Sequence, residues 1–340
     1  MSGVTVGIIA NPAAGKDIRR LVAQGRFVPN HEKVNIVRRI LAGMDAVGID
    51  QALFMPDPSN MGWTAAEGVK VHFESKLLDM AIYGAEIDST TAAEMIADAG
   101  ATCLVTLGGD GTNRAVAKGA RDVPLVAVST GTNNVFPELV EGTSAGMAAA
   151  VIARGLVDPQ SVSVVSKLLE ITVDGPGPVV DTALVDLAVS RQRFVGSRAV
   201  WDPSSVREIF LSRAVPGSVG LSAIGAALLP VSAKDDHGLY LRLGPGGTTV
   251  IAPIAPGVVS PVEVAEWRTV AVGEDVDTSP EPGTVALDGE RTFTLSGDRA
   301  ARVTLTRNGP RVVGVAEVLR QATLAGVFAK LATGVNEVQT

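Results

Sequence analysis

The chain has 340 residues, a formal net charge of -7 and a composition that is 46% hydrophobic but only 4% aromatic. This length exceeds the size to which a single hydrophobic core usually grows, so two domains are expected. The acidic balance and the scattered basic residues exclude nucleic acid as a predicted partner. Cys103 is the only cysteine, which rules out a disulfide within the chain, and no apolar stretch approaches the ~20 residues of a membrane helix. We therefore predict a cytoplasmic protein without stable membrane insertion, and we expect a homo-oligomer.

The first part of the chain predicts strands that alternate with helices. In chain order, the predicted elements are first a strand at 4–10, a helix after Asn30 with apolar spacing from 34 to 47, and a strand at 49–55. They continue with a helix at 89–99, in which Thr91 and Glu94 have the spacing of a capping box, a strand at 102–107, a helix after Thr112 and a strand at 125–128. Such an alternation is typical of a doubly wound, mostly parallel sheet, whose ligand crevice lies at the carboxyl ends of the strands.

Beyond residue 155 the pattern changes to β-branched runs separated by turn residues, which predicts a β-rich, sandwich-like domain. The predicted strand runs are 162–173, 179–189, 240–243, 248–254, 284–287 and 302–306. The segments 203–212 and 221–229 fit either helices or insertions. Helical spacing returns between Val315 and Leu331, and predicts a C-terminal helix that packs back on the first domain. We place an α/β donor-binding domain at 1–140, a β-rich acceptor domain at 141–310 and the returning helix at 311–340.

The strongest chemical signal is the motif that runs from Gly108 to Thr112, directly after a predicted strand and before a helix. Its glycines, Gly108, Gly109 and Gly111, allow backbone amide groups to approach phosphate oxygens, and the helix start adds partial positive charge. A carboxylate beside phosphates is repulsive unless it binds Mg²⁺ or takes a proton from an acceptor hydroxyl. Asp110 is therefore predicted as the acid–base residue, a metal ligand or both. The alternative is an ordinary turn in which Asp110 caps the helix.

Two further loops follow predicted strands and should line the same crevice. The residues predicted to bind nucleotide there are Asn11, Gly15 and Lys16 in the first loop, and Gly131, Thr132 and Asn134 in the second. The first loop resembles a phosphate loop without the Walker spacing, and the lysine could reach a phosphate across the crevice. A turn with a solvent-facing lysine and a simple Asx turn are the respective alternatives.

A fourth motif, Asp288, Gly289 and Glu290, lies in the β-rich half. A hairpin turn is enough to explain an Asp-Gly pair. In the company of the other motifs, we predict that Glu290 is catalytic together with Asp110, and that Asp288 binds Mg²⁺ together with Asp110.

These motifs, in this order and spacing, resemble the superfamily that unites NAD kinases, diacylglycerol kinases and sphingosine kinases. Within it, the chain is most similar to the subgroup described as ATP-NAD kinase-like or acetoin-catabolism X-type. The resemblance runs through nearly the whole chain. It implies an α/β domain followed by a β-sandwich domain, a GGDGT loop that binds the phosphates of the donor, and an active site between the domains.

The resemblance implies a kinase that uses ATP or polyphosphate with Mg²⁺ to phosphorylate a hydroxyl group. NAD is the first expected acceptor, and a lipid or another small alcohol is the second. The turn at 288–290 and the start of the 11–16 loop are more like the lipid kinases, but the sequence lacks a basic amphipathic stretch that would hold an enzyme on a membrane. A nucleotide-binding regulator without turnover is the alternative from another class. Retention of Asp110 and Glu290 argues against it.

Overall fold

The computed structural model describes residues 3–15, 23–25, 27–131, 133–173, 179–192, 202–295 and 300–331. Lys16 and Thr132, which are predicted to bind nucleotide, lie outside the described residues. Within these residues, no helix is long and apolar enough to cross a bilayer.

The first domain is built on a sheet of seven strands in the order β3-β2-β1-β4-β5-β17-β6. All neighbouring pairs are parallel except β17 and β6. The strands are β1 (Thr5–Ala10), β2 (Gln51–Phe54), β3 (Glu74–Leu77), β4 (Cys103–Gly108), β5 (Leu125–Ser129), β6 (Ser163–Val165) and β17 (Arg311–Val313). The strands β1 and β4 are buried on both faces, as continuous apolar runs in a covered parallel sheet should be.

Helices cover both faces of this sheet, which confirms the doubly wound prediction. The helices are α1 (Asn30–Val47), α2 (Met61–Glu67), α3 (Glu86–Asp98), α4 (Asp110–Gly119), α5 (Gly142–Ala153) and α7 (Val315–Leu324). One core contains residues of α1, α5 and α7, and the opposite core contains residues of α3 and α4. The helix α5, which follows the domain boundary predicted at residue 140, packs against α1. The return of α7 to this domain was predicted from its apolar spacing and is confirmed.

The predicted capping box in α3 is wrong. The helix begins at Glu86, so Thr91 and Glu94 lie inside it. The Asp88 carboxylate accepts hydrogen bonds from the backbone N–H groups of residues 83, 84 and 85 at 2.8 to 3.3 Å. This aspartate binds the backbone amide groups just before the helix, so the helix start is capped at Ala85 and Asp88 rather than at Thr91 and Glu94.

The second domain consists of two antiparallel sheets with a shared core, as the sandwich-like prediction requires. The six-stranded sheet contains β9 (Asp186–Ser190), β10 (Val206–Leu211), β11 (His237–Ala255), β12 (Val258–Ala271), β14 (Gly283–Leu287) and β15 (Glu290–Leu295), and the four-stranded sheet contains β7 (Leu168–Val173), β8 (Val179–Ala183), β13 (Asp275–Asp277) and β16 (Arg302–Thr306). A short helix, α6 (Leu221–Ala226), covers the outer face of the larger sheet.

Several predicted boundaries in this domain need correction. The runs 240–243 and 248–254 form one long strand, β11, whose hairpin partner β12 was not predicted. The open segment 203–212 is mainly the strand β10, whereas 221–229 contains the helix α6. The run 162–173 is divided between β6 in the first domain and β7 in the second. A β-branched run shows extended backbone, but only partner strands decide to which sheet it belongs.

Candidate active site

A cavity of about 540 Å³ lies between the two domains, within the ~300–1,000 Å³ range of small-molecule sites. The first domain lines it with the loops that follow β1, β4 and β5, and the second domain lines it with Asp186, the segment 219–222 and the turn after β14. The residues of the predicted site that line the cavity are Asn11, Gly15, Gly109, Asp110, Gly111, Thr112, Asn134, Asp288 and Glu290. Gly108 and Gly131 are not among the residues that line the cavity. The roles in binding and catalysis stay predictions.

Hydrogen bonds between neighbouring loops hold the GGDGT turn in place. The side-chain amide of Asn11 donates to the Thr112 hydroxyl at 2.9 Å, which joins the first loop to helix α4. Behind the turn, the buried Asn113 donates to the Gly109 carbonyl at 2.8 Å and accepts from the Thr106 hydroxyl at 2.7 Å. The sequence analysis missed Asn113, although its position in the first turn of the helix was a signal. The turn is thus part of a rigid scaffold.

The three glycines of this turn have different surroundings. A Cβ atom on Gly108 would lie 2.6 Å from the Thr112 side chain, and one on Gly109 would lie 2.8 Å from Asn134 Oδ1. A Cβ atom on Gly111 would meet only the Glu290 carboxylate, at 3.8 Å. The first two glycines therefore make room for protein neighbours. Gly111 leaves open space at the helix start, where an anion can approach the backbone.

The loop after β1 is held by a lysine that the sequence analysis missed. Lys33, on helix α1, is fully buried, and its Nζ atom donates to the carbonyls of Asn11 at 3.1 Å, Pro12 at 3.0 Å and Ala14 at 2.7 Å. Lys33 lies four residues before Val37 on the buried face of the helix. A charged residue on an apolar stripe is the signal that could have found it.

Asp110 is the first residue of α4 and is buried at the cavity wall. Its carboxylate accepts hydrogen bonds from the backbone N–H groups of Val135, at 3.0 and 3.1 Å, and Phe136, at 2.8 Å. Burial raises the pKa of this carboxyl to about 7, with a further contribution from the negative charge of Asp288. Asp110 can therefore exchange a proton near neutral pH.

Asp288 is buried in the turn between β14 and β15, with a left-handed φ of 50°. Its carboxylate accepts from the backbone N–H groups of Leu184 at 3.0 Å, Val185 at 2.8 Å and Asp186 at 3.3 Å. Burial raises the pKa of Asp288, and the positive charge of Arg114 opposes that shift. The carboxylate fixes the start of β9 against the turn that carries Glu290, which is exposed at the cavity.

Two buried arginines stand beside these carboxylates, and the sequence analysis identified neither. Arg114, one turn after Asp110 on α4, donates to the Leu287 carbonyl at 3.3 Å and to Glu86 at 2.8 Å. Arg213, from the second domain, donates to the Ser166 hydroxyl at 2.6 Å, and its guanidinium carbon lies 4.8 Å from the centre of the Phe136 ring. Each domain thus contributes one buried aspartate and one buried arginine to the interface. The sequence carries no local signal for Arg213.

The cavity wall is rich in carboxylates, which are oxygen ligands of the kind that Mg²⁺ prefers. Among the described residues, no three or more His, Cys, Asp or Glu side chains are arranged to hold a metal by themselves. Mg²⁺ in kinase sites usually binds one or two carboxylates and completes its shell with water and substrate phosphates. The donor set therefore fits Mg²⁺ that arrives with a phosphate donor.

Comparisons with known proteins show the fold class and the family of this chain. Residues 6–156 match the family model of the ATP-NAD kinase N-terminal domain, and residues 167–308 match that of the acetoin catabolism protein X C-terminal domain. A crystal structure of yeast NADH kinase complexed with NADH has the same fold, with a TM-score of 0.51, 14% identity, and coverage of 94% of this chain and 86% of that chain. The protein is thus of the NAD kinase fold class, with a C-terminal domain of the acetoin catabolism type.

Acetoin catabolism protein X of Cupriavidus necator is 37% identical over 337 residues, which cover 93% of this chain and 92% of that relative. An NAD kinase of Citrifermentans bemidjiense is 39% identical over 79 residues, or 23% of this chain and 27% of that relative. The chain belongs to the acetoin catabolism protein X family. The suspected membership of the wider NAD kinase superfamily is confirmed.

Proposed function

We propose that the protein is a kinase that transfers a phosphoryl group from ATP, or from polyphosphate, to a hydroxyl group of a small molecule. One observation carries the proposal. The open backbone at Gly111, where helix α4 begins, lies close to the carboxylate of Glu290 from the other domain, and both line a single cavity. A donor phosphate at the helix start and an acceptor beside Glu290 would meet there.

The donor phosphates would lie against the backbone of Gly111 and Thr112, because the start of a helix attracts anions. Lys16 is proposed as a further phosphate contact. Mg²⁺ bound with the donor would neutralise phosphate charge, with Asp110 and Asp288 as its proposed protein ligands. Both aspartates also accept backbone hydrogen bonds, which hold their carboxylates still as the donor binds.

Asp110 is the proposed acid–base residue. A base whose pKa lies near the working pH is efficient, since it is partly ionised and still able to hold a proton. The pKa of about 7 meets this condition. Glu290 would orient the acceptor hydroxyl, because its exposed carboxylate can accept a hydrogen bond from that group.

NAD is the first acceptor to test, because the N-terminal half matches an NAD kinase family model and the fold is that of an NADH kinase. The test is ADP release from ATP and Mg²⁺ with NAD, NADH, diacylglycerol, a sphingoid base and a polyol as separate acceptors. We expect release with one acceptor class and none from Asp110→Asn. NAD is rejected as acceptor if only a lipid or a polyol supports release. A protein that binds nucleotide but releases no ADP with any acceptor would be a regulator.

A matched pair of glycine substitutions tests the donor site. Gly111→Ala adds a Cβ atom in ordinary contact with its surroundings, so the protein should keep its thermal stability while its affinity for Mg-ATP falls about tenfold. Gly109→Ala forces a clash with Asn134 and should lower thermal stability as well. Calorimetric titration and thermal unfolding measure the two effects. Unchanged affinity in a folded Gly111→Ala protein would mean that the loop is only a turn.

A further inference from the structure

Lys33 is a charged side chain that the proposed mechanism does not use. It is fully buried within helix α1, between residues that pack in the apolar core. A buried ammonium group is costly unless every proton finds an acceptor. A lysine in this position therefore needs compensation, and its partners indicate its role.

The ammonium group donates to three acceptors that lie in one short segment. They are the carbonyl oxygens of Asn11, Pro12 and Ala14, between 2.7 and 3.1 Å from Nζ. Three carbonyls within four residues can converge on one point only if the chain curves around that point. The lysine thus sets the curvature of the segment 11–15, whose other side lines the cavity.

Hydrogen bonds of Asn11 connect this curved segment to the GGDGT turn. Asn11 uses its carbonyl group for Lys33, its side-chain oxygen for the N–H group of Ala13 at 2.8 Å, and its side-chain amide for the hydroxyl of Thr112 at 2.9 Å. Lys33, Asn11 and Thr112 therefore form a continuous chain of hydrogen bonds from the core of the first domain to the start of helix α4.

We propose that Lys33 is a positioning residue for the phosphate donor, which it serves by holding the segment 11–15 in its donor-binding shape. The inference rests on the proposed function, since it assumes that this segment contacts a phosphate donor. Lys33 itself does not line the cavity. Its removal should therefore affect donor binding far more than the chemical step.

Lys33→Met keeps the length and apolar stem of the side chain but removes the ammonium group. Val37→Ala is the matched control, because Val37 lies one turn further along the same buried face of α1 and contacts no cavity residue through a hydrogen bond. Both variants should melt at lower temperature than the wild-type protein. Only Lys33→Met should raise the KM for Mg-ATP, by about tenfold or more, while kcat at saturating ATP stays within about twofold.

Hydrogen exchange of the peptide that contains residues 11–15 is a second measurement, which does not depend on turnover. We expect faster exchange in Lys33→Met and wild-type exchange in Val37→Ala. An unchanged KM for Mg-ATP, or equal increases in both variants, would overturn the inference. If the wild-type protein binds neither Mg-ATP nor polyphosphate, the proposed function is wrong, and the role of Lys33 in donor binding is wrong with it. The hydrogen-exchange result still decides whether Lys33 shapes the segment 11–15.

Discussion

Asp110 and Asp288 come from different domains, yet their surroundings are built alike. Each is buried, each accepts backbone N–H groups from its own domain, and each lies in the field of an arginine from the other domain. They differ in how much the arginine lowers the pKa of the carboxyl group. The positive charge of Arg114 is the largest of the effects that lower the pKa of Asp288, whereas Arg213 lowers the pKa of Asp110 less than the backbone hydrogen bonds do.

The two buried carboxyl groups therefore have different roles, one in the structure of a turn and one in proton exchange. Asp288 shapes a turn, with a left-handed backbone and a carboxyl group that accepts from three backbone amides. Asp110 has a pKa near 7 at the wall of the cavity, so it can change its protonation state. A carboxyl group that shapes a turn and a carboxyl group that can exchange a proton therefore both lie at the domain interface. The following predictions test that contrast.

The largest effect is expected for Asp110→Asn. The amide keeps an oxygen for the N–H groups of Val135 and Phe136 but cannot take a proton, so kcat should fall by about 10²- to 10⁴-fold. Coupled ADP release measures this loss, and titration with ATP in the absence of Mg²⁺ is the control for an intact nucleotide site. Turnover close to that of the wild-type protein would remove Asp110 from the chemistry.

The same variant should also change the stability of the protein as a function of pH. The folded-state pKa of about 7 lies above the ordinary aspartate pKa of 3.8, so the folded protein binds more protons between these two values, and this contribution to stability is lost as pH rises through 7. Asp110→Asn should abolish this loss, and should therefore unfold at a higher urea concentration than the wild-type protein at pH 8. Equal midpoints at pH 5 and pH 8 in the wild-type protein would contradict the raised pKa.

Asp288→Asn should lower the stability of the fold and also weaken the binding of Mg²⁺ with the donor. One oxygen cannot serve three amide donors as a carboxylate does, and Arg114 loses a neighbouring negative charge, so the free energy of unfolding should fall by about 1–3 kcal/mol. Urea denaturation measures the loss, and Asp122→Asn at an exposed position is the control. If Asp288→Asn is as stable as the control but inactive, Asp288 belongs with Asp110 in the chemistry rather than in the scaffold.

Glu290→Gln should lower turnover by about tenfold without changing thermal stability, because the side chain is exposed to the cavity and the amide binds a hydroxyl proton more weakly. The Kd for Mg-ATP should be unchanged if Glu290 serves the acceptor. A weaker Kd with normal turnover at saturating ATP would instead assign Glu290 to the donor or its metal.

The smallest effect is expected in the pH dependence of kcat/KM when the positive charge of Arg213 is removed. The value of kcat/KM should fall as pH drops below about 7, because Asp110 must be ionised to accept a proton. Arg213→Met keeps an apolar contact with Phe136 but removes a positive charge, and should move this acid limb upward by about half a pH unit. The pH–rate profile of the exposed-site variant Arg242→Met is the control. An unchanged acid limb would show that the charge of Arg213 does not act on Asp110.

The sequence determined the class of fold because the spacing of apolar residues and the positions of turn residues can be read from short segments of the chain. The apolar spacing of α1 and the buried runs of β1 and β4 lead directly to a covered parallel sheet, and the three loops that follow parallel strands must meet at one edge. Asn11, Asp110 and Asn134 could therefore be predicted to share a crevice. The turn at 288–290 was predicted from its Asp-Gly pair, and its role in the site from the company of the other motifs.

Long-range contacts decided the rest. Nothing near Arg213 in the sequence shows that it lies against Phe136, and the partners of Lys33 are identifiable only once α1 packs behind the first loop. The division of 162–173 between two sheets and the unpredicted strand β12 have the same origin, since strand partners are distant in sequence. The residue types that line the site are a property of the sequence, whereas the burial and the electric field that set the pKa of Asp110 arise only when two domains exclude water from the same place.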